Sequence, residues 1–364
     1  MQRVSGRGAV HHGAPAAFIV VDSTVGVGRV KTGYFCVQLD DQQVWVLSYA
    51  KARNTLRDDE PALHDAQTVA IPPELERMAQ SVRIFYDPGL AAELREALKR
   101  GRDFIARYTL QERIRELEID DRVRYYLIEV DHQPVGYFTR RFWRGRQSLD
   151  DPRFGSPGKE GLRVYEESWR FGERGAVQYA SYDLFSSIDG DSDLLEITTA
   201  DLPPEGVEHR RPFITSDKCV RADDVLFSSY TTSRDLVMPD PRPPLRLDRA
   251  FLGLAWVRVL PALLGKQAAP LYAFSIYDTA SRTALTYSIE PLGRQKLPRG
   301  DGVGPAYRVR EGFSDSPGLL FTDEYGHMVW YEAGNVALRE TSAAEVERLF
   351  GAKREAARPL LTKK

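Results

Sequence analysis

The sequence has only two cysteines, Cys36 and Cys219, among its 364 residues. They lie far apart and neither belongs to a C-x-x-C pair, which excludes a disulfide scaffold, a zinc ribbon and a thioredoxin-type redox site. The two residues either form a single disulfide with each other or are two buried thiols, and the sequence leaves both alternatives open.

Long apolar runs and an excess of charge are also missing. No apolar stretch approaches the roughly 20 residues that a membrane-spanning helix needs, and the richest, 251–264, is interrupted by Arg258 and Pro261. The apolar stretch 16–21 is shorter than the core of a secretory signal, about 7–15 residues, so no export signal is predicted. A formal net charge of −2 gives no general attraction to nucleic acid or to anionic membranes.

Catalytic motifs are absent as well. None of the histidines has the H-x-H, H-x-x-x-H or H-E-x-x-H spacing of a metal site; they are His11, His12, His64, His132, His209 and His327. There is no Walker lysine and no G-x-S-x-G elbow, so no cofactor is predicted. Glu166-Glu167 is one of many carboxylate pairs and gives no evidence for acid–base chemistry. We expect His132 and His327 to be solvated, because both fall in or beside predicted turns.

One acidic loop could hold a metal ion. Asp189, Asp191 and Asp193 alternate along it, which suits a hard cation such as calcium. An EF-hand loop, however, carries its bidentate glutamate at position twelve, whereas Glu196 stands at position eight of this segment. A polar hairpin turn explains the same residues equally well.

The N-terminal third combines strands and helices. Residues 1–13 are expected to be a flexible N-terminus and 14–120 a small β/α region. This region opens with three strands rich in β-branched and aromatic residues. Asp87 and Pro88 are typical of a helix start, and apolar residues continue at helical spacing to Tyr108. A capping box at 109–112 predicts a second helix that ends near residue 120.

Residues 121–341 consist mainly of strands separated by turn residues, which favours sequential antiparallel pairing. Strand–helix–strand alternation is missing, so a parallel sheet is disfavoured. We predict an α+β fold, mostly antiparallel β, that is an incomplete barrel or strongly curved sheet with a packed helix. That helix is predicted at 249–264 and is apolar on nearly every face. Residues 342–364 are predicted to form a short C-terminal helix, stopped at Gly351, and a basic tail.

Aromatic side chains are frequent in these strands, and they have two interpretations. The first is an ordinary core beneath the apolar helix. The second is an apolar cavity in a curved sheet, capped by that helix. In this case the candidate ligand-binding residues are Trp143, Trp169, Phe185, Trp256 and Phe274. We further predict that Trp256, which shares a helix face with Leu252 and Leu260, is more than half buried against the sheet.

Three passages resemble a known family. Val135-Gly136-Tyr137 follows a polar turn, the passage from Arg258 to Asp278 reads as leucine-rich helix, glycine and aromatic strand, and Phe321 to Val329 resembles a last hairpin. Over about residues 122–340 these passages resemble bacterial envelope-associated domains of unknown function, similar to the lipoprotein-localisation half-barrels. The resemblance implies a half-barrel that holds lipid or acyl chains and a location in the periplasm or cell envelope. Residues 14–120 have no counterpart in that family.

Three functional hypotheses follow. The favoured one is a non-enzymatic binding or scaffold module, with an apolar or acyl ligand, or a protein partner, on its curved sheet. The first alternative is a hydrolase-like enzyme with a dispersed site of carboxylates and His132 or His209. The second is a structural subunit of a larger assembly that docks through residues 14–120. The sequence does not give the oligomeric state.

Overall fold

The computed structural model describes residues 2–11, 14–25, 28–39, 44–54, 71–82, 88–107, 117, 119–146, 158–206, 211–232, 240–241, 244–279, 282–299, 301–312 and 317–361. The chain divides into two compact units, Met1–Glu93 and Leu94–Lys364. This division lies within a helix, whereas the sequence places a boundary between residues 120 and 121.

The first unit contains a four-stranded antiparallel meander. Its strands are β1 (Gln2–His11), β2 (Ala14–Val25), β3 (Gly28–Gln38) and β4 (Val44–Asn54), followed by helix α1 (Pro73–Ser81) and the start of α2 (Pro88–Arg107). Gln2–His11 pairs with β2 along its whole length, so the expected flexible N-terminus is instead an edge strand. The start of α2 at Pro88 agrees with the helix predicted there. The predicted helix at 109–120 lies mostly outside the described residues.

The two faces of this meander differ. One face packs Phe18, Phe35 and Val37 against Leu75 of α1. The other face exposes valine side chains, with Val10 76%, Val44 57% and Val46 50% exposed.

The second unit is dominated by one antiparallel sheet of fifteen strands. Its elements in chain order are β5 (Arg124–Val130), β6 (Gln133–Arg146), β7 (Glu160–Phe171), β8 (Val177–Ser187), β9 (Ser192–Leu202), β10 (Phe213–Ala222), β11 (Val225–Thr232), β12 (Asp240–Pro241), β13 (Leu245–Arg246), α3 (Leu254–Leu264), β14 (Tyr272–Asp278), β15 (Thr283–Lys296), β16 (Val303–Glu311), β17 (Gly318–Thr322), β18 (Met328–Ala333), β19 (Val336–Thr341) and α4 (Ala343–Leu361).

Two meanders make up this sheet. Strands β5 to β11 pair in sequence, strands β14 to β19 do the same, and β19 joins β5 in antiparallel register. The sheet is not closed into a barrel, but it is curved. The curvature brings β14 close to β10, where Tyr277 Oη donates to Asp217 Oδ2 over 3.3 Å. The expected α+β fold with a curved antiparallel sheet and a packed helix is confirmed.

Helix α3 begins later than the sequence predicts. It starts at Leu254 with Gly253 at its N-cap, not at residue 249. The preceding segment instead extends the sheet: Ser275 N donates to Ala250 O over 3.0 Å and Leu252 N donates to Ser275 O over 2.8 Å. Gly253 is required at this junction because a Cβ there would overlap Asp193 and Ser186. The helix ends before Gly265, whose φ of 88° lies in the left-handed region.

Burial of Trp256 against the sheet is confirmed. The residue is 1% exposed and lies in a core cluster with Phe142, Val164 and Leu184. Its indole Nε1 donates to Ser187 O over 3.2 Å, so the enclosed polar edge has an acceptor.

The C-terminal helix is longer than expected. α4 runs from Ala343 to Leu361 and passes through Gly351 without a break. Phe350, Ala357 and Leu361 of α4 are buried in a cluster with Trp169 and Leu202. Glycine inside a helix costs about 1 kcal/mol, whereas burial of a large apolar side chain contributes about 1.5–3 kcal/mol, so packing outweighs the stop signal.

Two further observations concern the cysteines and the helices of the described residues. Cys36 and Cys219 are both free thiols, and only Cys219 is fully buried. In the part of the chain that the structure describes, no helix combines the length and apolarity needed to cross a membrane.

Candidate functional site

A cleft of about 860 Å³ lies on the concave face of the fifteen-stranded sheet, beside α3. One part of its lining is apolar and includes Ile128, Phe138, Leu320, Met328 and Leu338. The other part is polar: its arginines are Arg140, Arg170, Arg258 and Arg310, and its carboxylates are Glu166, Asp201 and Glu311. The lining is therefore amphipathic, whereas the second interpretation of the aromatic strands is an apolar cavity.

Strand register builds the floor of the cleft. Glu166 of β7 stands opposite Arg140 of β6 and Tyr182 of β8. The next row of side chains on the same face lies two residues away along each strand. There Ser168 stands opposite Phe138 and Ala180. The small side chains of Ser168 and Ala180 leave open space above this part of the sheet.

An ion triad, formed by the buried Glu166, by Arg140 and by the 26% exposed Arg258, lies at one end of the cleft. Arg140 Nε donates to Glu166 Oε1 over 2.5 Å, and Arg258 Nε lies 3.0 Å from the same oxygen. The side chains of Glu166 and Arg140 are 8% and 11% exposed. Burial by itself raises the pKa of Glu166, but the charges of Arg140 and Arg258 outweigh it and the net pKa is lowered. The carboxylate therefore stays ionised between two cations.

Helix α3 supplies one member of the triad across the cleft. Arg258 projects from its middle, and Val257 and Pro261 line the cleft beside it. Arg140 is held from the other side by the rings of Phe138 and Phe142, whose centroids lie 5.3 Å and 5.8 Å from its guanidinium carbon. The triad thus fixes the helix to the concave face and fixes the charged end of the cleft.

Phenol hydroxyls complete the polar part. Tyr182, Tyr287 and Tyr331 all line the cleft. Burial raises the pKa of each phenol above its ordinary value. These side chains therefore remain protonated at neutral pH and can donate hydrogen bonds.

The five aromatic residues predicted to bind a ligand do not line this cleft. Trp256 and Phe274 are enclosed in the core beneath α3, and Trp169 packs with α4. Trp143 and Phe185 each stand opposite Arg163, on the face away from the buried Phe142, Val164 and Leu184. The five aromatic residues are therefore divided between the two faces of the sheet and do not form one site.

The acidic loop is neutralised by the protein's own cations. Lys159 Nζ contacts Asp191 at 2.5 Å and Asp189 at 3.1 Å. Asp193 instead accepts hydrogen bonds from Ser186 and, over 3.1 Å, from Arg221 Nη1. Among the described residues, no group of three metal-ligating side chains is arranged to hold a metal ion. These contacts fit the interpretation as a polar turn, and the calcium interpretation stays a prediction.

The histidines differ from expectation at one position. His132 is exposed in its turn and its Nδ1 lies 3.1 Å from Arg299 Nη2. His327, by contrast, is 8% exposed, so the expectation of a solvated side chain is wrong for it. His209 lies outside the described residues.

The stability of the fold is expected to decrease in acid because of His327. Burial of the ring, assisted by the charge of Arg124, lowers its pKa below the ordinary value of 6.5. As the pH falls below about 6.5, His327 is protonated in the unfolded chain before it is protonated in the folded protein. The free energy of unfolding therefore decreases between about pH 6.5 and the lower pKa of the folded state. Urea denaturation at pH 7.5 and 5.5 measures this. In His327→Gln the loss of unfolding free energy between pH 7.5 and 5.5 should be smaller. An equal loss in this variant would show that other groups cause it.

Sequence reasoning missed the triad. Glu166 was one of many carboxylates, and only the strand pairing shows that it faces Arg140 on the inner side. Arg258 gave the clearest available signal, since it is the one charged residue within the sequence of α3.

Comparisons with known proteins give only distant structural similarity. No protein-family model matches the chain, and no curated protein matches it. A crystal structure of a beta-barrel-like protein of domain of unknown function DUF1849 from Brucella abortus is similar, at 10% identity, over 60% of this chain and 94% of that chain, with a TM-score of 0.36. No property of that protein is carried over at this TM-score. The resemblance to lipoprotein-localisation half-barrels stays a prediction.

Proposed function

We propose that this protein is a non-enzymatic binding module that holds an apolar or acyl ligand on the concave face of its large sheet. The cleft of about 860 Å³ supports this proposal, because small-molecule sites typically measure about 300–1,000 Å³. Its apolar stripe, formed by Ile128, Phe138, Leu320, Met328 and Leu338, would cover the apolar part of the ligand.

The arrangement of the cleft favours binding over catalysis. Its one fully enclosed carboxylate, Glu166, is neutralised by two arginines. A general base needs a pKa near the operating pH, whereas the pKa of Glu166 is lowered. The contact found for His132 is with the cation Arg299, which does not activate it as a base. The hydrolase-like alternative and the docking of residues 14–120 in an assembly stay predictions.

Filling the cleft tests the proposal. Ala180 lies on its floor, so Ala180→Trp should displace a ligand without removing a core residue. The indole would occupy space that the ligand needs, and a loss of about 1.4 kcal/mol of binding free energy already makes the complex tenfold weaker. Organic extraction of the purified protein followed by mass spectrometry should find an apolar compound with the unmodified chain and much less with Ala180→Trp.

Ser181→Trp is the matched control. Ser181 is the next residue of β8 and points to the opposite sheet face, so this variant should retain the compound. An extract of the unmodified protein without any apolar compound, or equal amounts from both variants, would contradict binding in the cleft.

A further inference from the structure

The charges of the cleft define the chemical class of its ligand. Four arginines and three carboxylates line it, and four minus three leaves one net positive charge. At the enclosed end Arg140 and Arg258 share the carboxylate of Glu166, and the charge of Glu311 also acts on Arg258. A cleft whose charges sum to a positive value attracts anions, so a bound anion would balance the charge of this lining.

Two of these arginines also have unused donors. Arg258 Nε and Arg310 Nε are buried and have no hydrogen-bond acceptor among the described residues. Arg258 Nη2 donates to Glu166 Oε2 over 3.3 Å, whereas Arg258 Nε lies 3.0 Å from Glu166 Oε1 without forming a hydrogen bond. Buried donors are nearly always satisfied in folded proteins, so these two arginines of the lining are not saturated with acceptors from the chain.

Apolar and charged groups are adjacent in the cleft. Phe138 is two residues before Arg140 on β6 and on the same face, a separation of about 7 Å along the strand. Ile128 and Leu338, which form a cross-strand pair between β5 and β19, extend the apolar surface from there. A molecule that places an anionic head at Arg258 would therefore lay its apolar part on this stripe.

We propose that the ligand of the cleft is an anionic amphiphile, with a carboxylate or phosphate head bound by Arg258 and an apolar chain on the stripe of Ile128, Phe138 and Leu338. This inference rests on the proposed binding function and names the ligand class of the same site. The guanidinium of Arg258 is suited to the head, because its fork of donors matches the oxygens of a carboxylate or phosphate.

Calorimetric titration of the full chain with dodecanoate, dodecanol and inorganic phosphate tests it. Dodecanoate should bind at least about tenfold more tightly than dodecanol, the effect of one charge-assisted hydrogen bond. Arg258→Gln should remove that difference. Arg308→Gln is the matched control on β16: its guanidinium is 49% exposed and contacts Glu290, so this variant should bind like the unmodified chain.

Arg258→Gln is expected to fold, because it leaves Arg140 and Glu166 as a balanced pair, and circular dichroism checks this. If it does not fold, Arg258→Lys replaces it: this variant keeps the charge but loses the fork of donors, so it should reduce the preference for dodecanoate over dodecanol. If dodecanol and dodecanoate bind equally tightly, the proposed anionic head is wrong, whereas the proposed binding function is unaffected. Phosphate binding as tightly as dodecanoate would overturn the apolar chain. Absence of binding by all three probes, with no apolar compound in the extract, would contradict the proposed function as well.

Discussion

Replacement of Trp256 by alanine is expected to lower the free energy of unfolding by about 3–5 kcal/mol, the usual cost of truncating a buried aromatic side chain. The indole is 1% exposed and joins α3 to the inner face of the sheet through Phe142, Val164 and Leu184. Its removal leaves a cavity and also deprives the Ser187 carbonyl of the donor 3.2 Å away. Urea denaturation followed by circular dichroism measures the change.

Trp256→Phe separates the contribution of the N–H group from that of the ring, and Tyr325→Ala is an exposed control. Trp256→Phe retains an aromatic ring but not the N–H group, so we expect a smaller loss, including about 0.5–1.5 kcal/mol for the lost hydrogen bond, because Ser187 O still accepts from Gly190 N over 3.1 Å. Tyr325→Ala removes an aromatic ring that is 58% exposed and should change the free energy by about 0.5 kcal/mol or less. If Trp256→Ala were as mild as Tyr325→Ala, α3 would not be fixed to the sheet by this residue.

Glu166→Gln is expected to cost about 3–5 kcal/mol, the range observed when one partner of a buried ion pair is removed. The substitution preserves volume but leaves Arg140 and Arg258 side by side without a carboxylate between them. Both guanidiniums stay charged, since arginine is not deprotonated in proteins. The same denaturation experiment, at pH 7.5, measures the loss.

An exposed pair provides the control. Glu290 contacts Arg308 at 2.6 Å, and their side chains are 32% and 49% exposed, so Glu290→Gln should cost no more than about 1 kcal/mol. Arg258→Gln should cost less than Glu166→Gln, because it leaves a matched pair. If Glu166→Gln cost no more than the surface control, the triad would be solvated and the charged end of the cleft would lose its structural basis.

Much of the local structure could be predicted because it depends on neighbouring residues. Period-two alternation and turn residues gave the hairpins on either side of Asp131-His132 and of 172–175, which the structure contains. Burial of Trp256 followed from a helix with almost no polar position. These features are local, so composition and spacing are sufficient to determine them.

Helix ends were less predictable, because competing contacts come from distant parts of the chain. Asp248 is a good N-cap, yet α3 starts at Leu254 because residues 250–252 add to the edge of β14. Gly351 is a typical stop, yet α4 continues because Phe350 and Leu361 bury beside Trp169. In both places tertiary contacts outweigh a local preference.

The sequence by itself determined an antiparallel, strand-rich domain with one apolar helix and no recognisable catalytic motif. Only the tertiary structure decided that β19 pairs with β5, where Leu338 meets Ile128, and that Arg258 reaches Glu166 from α3. The face on which each strand residue lies depends on register, and a shift of one residue exchanges the faces. For that reason the aromatic residues could be counted in advance but not assigned to a site, and the charged cleft was found only after the strands were paired.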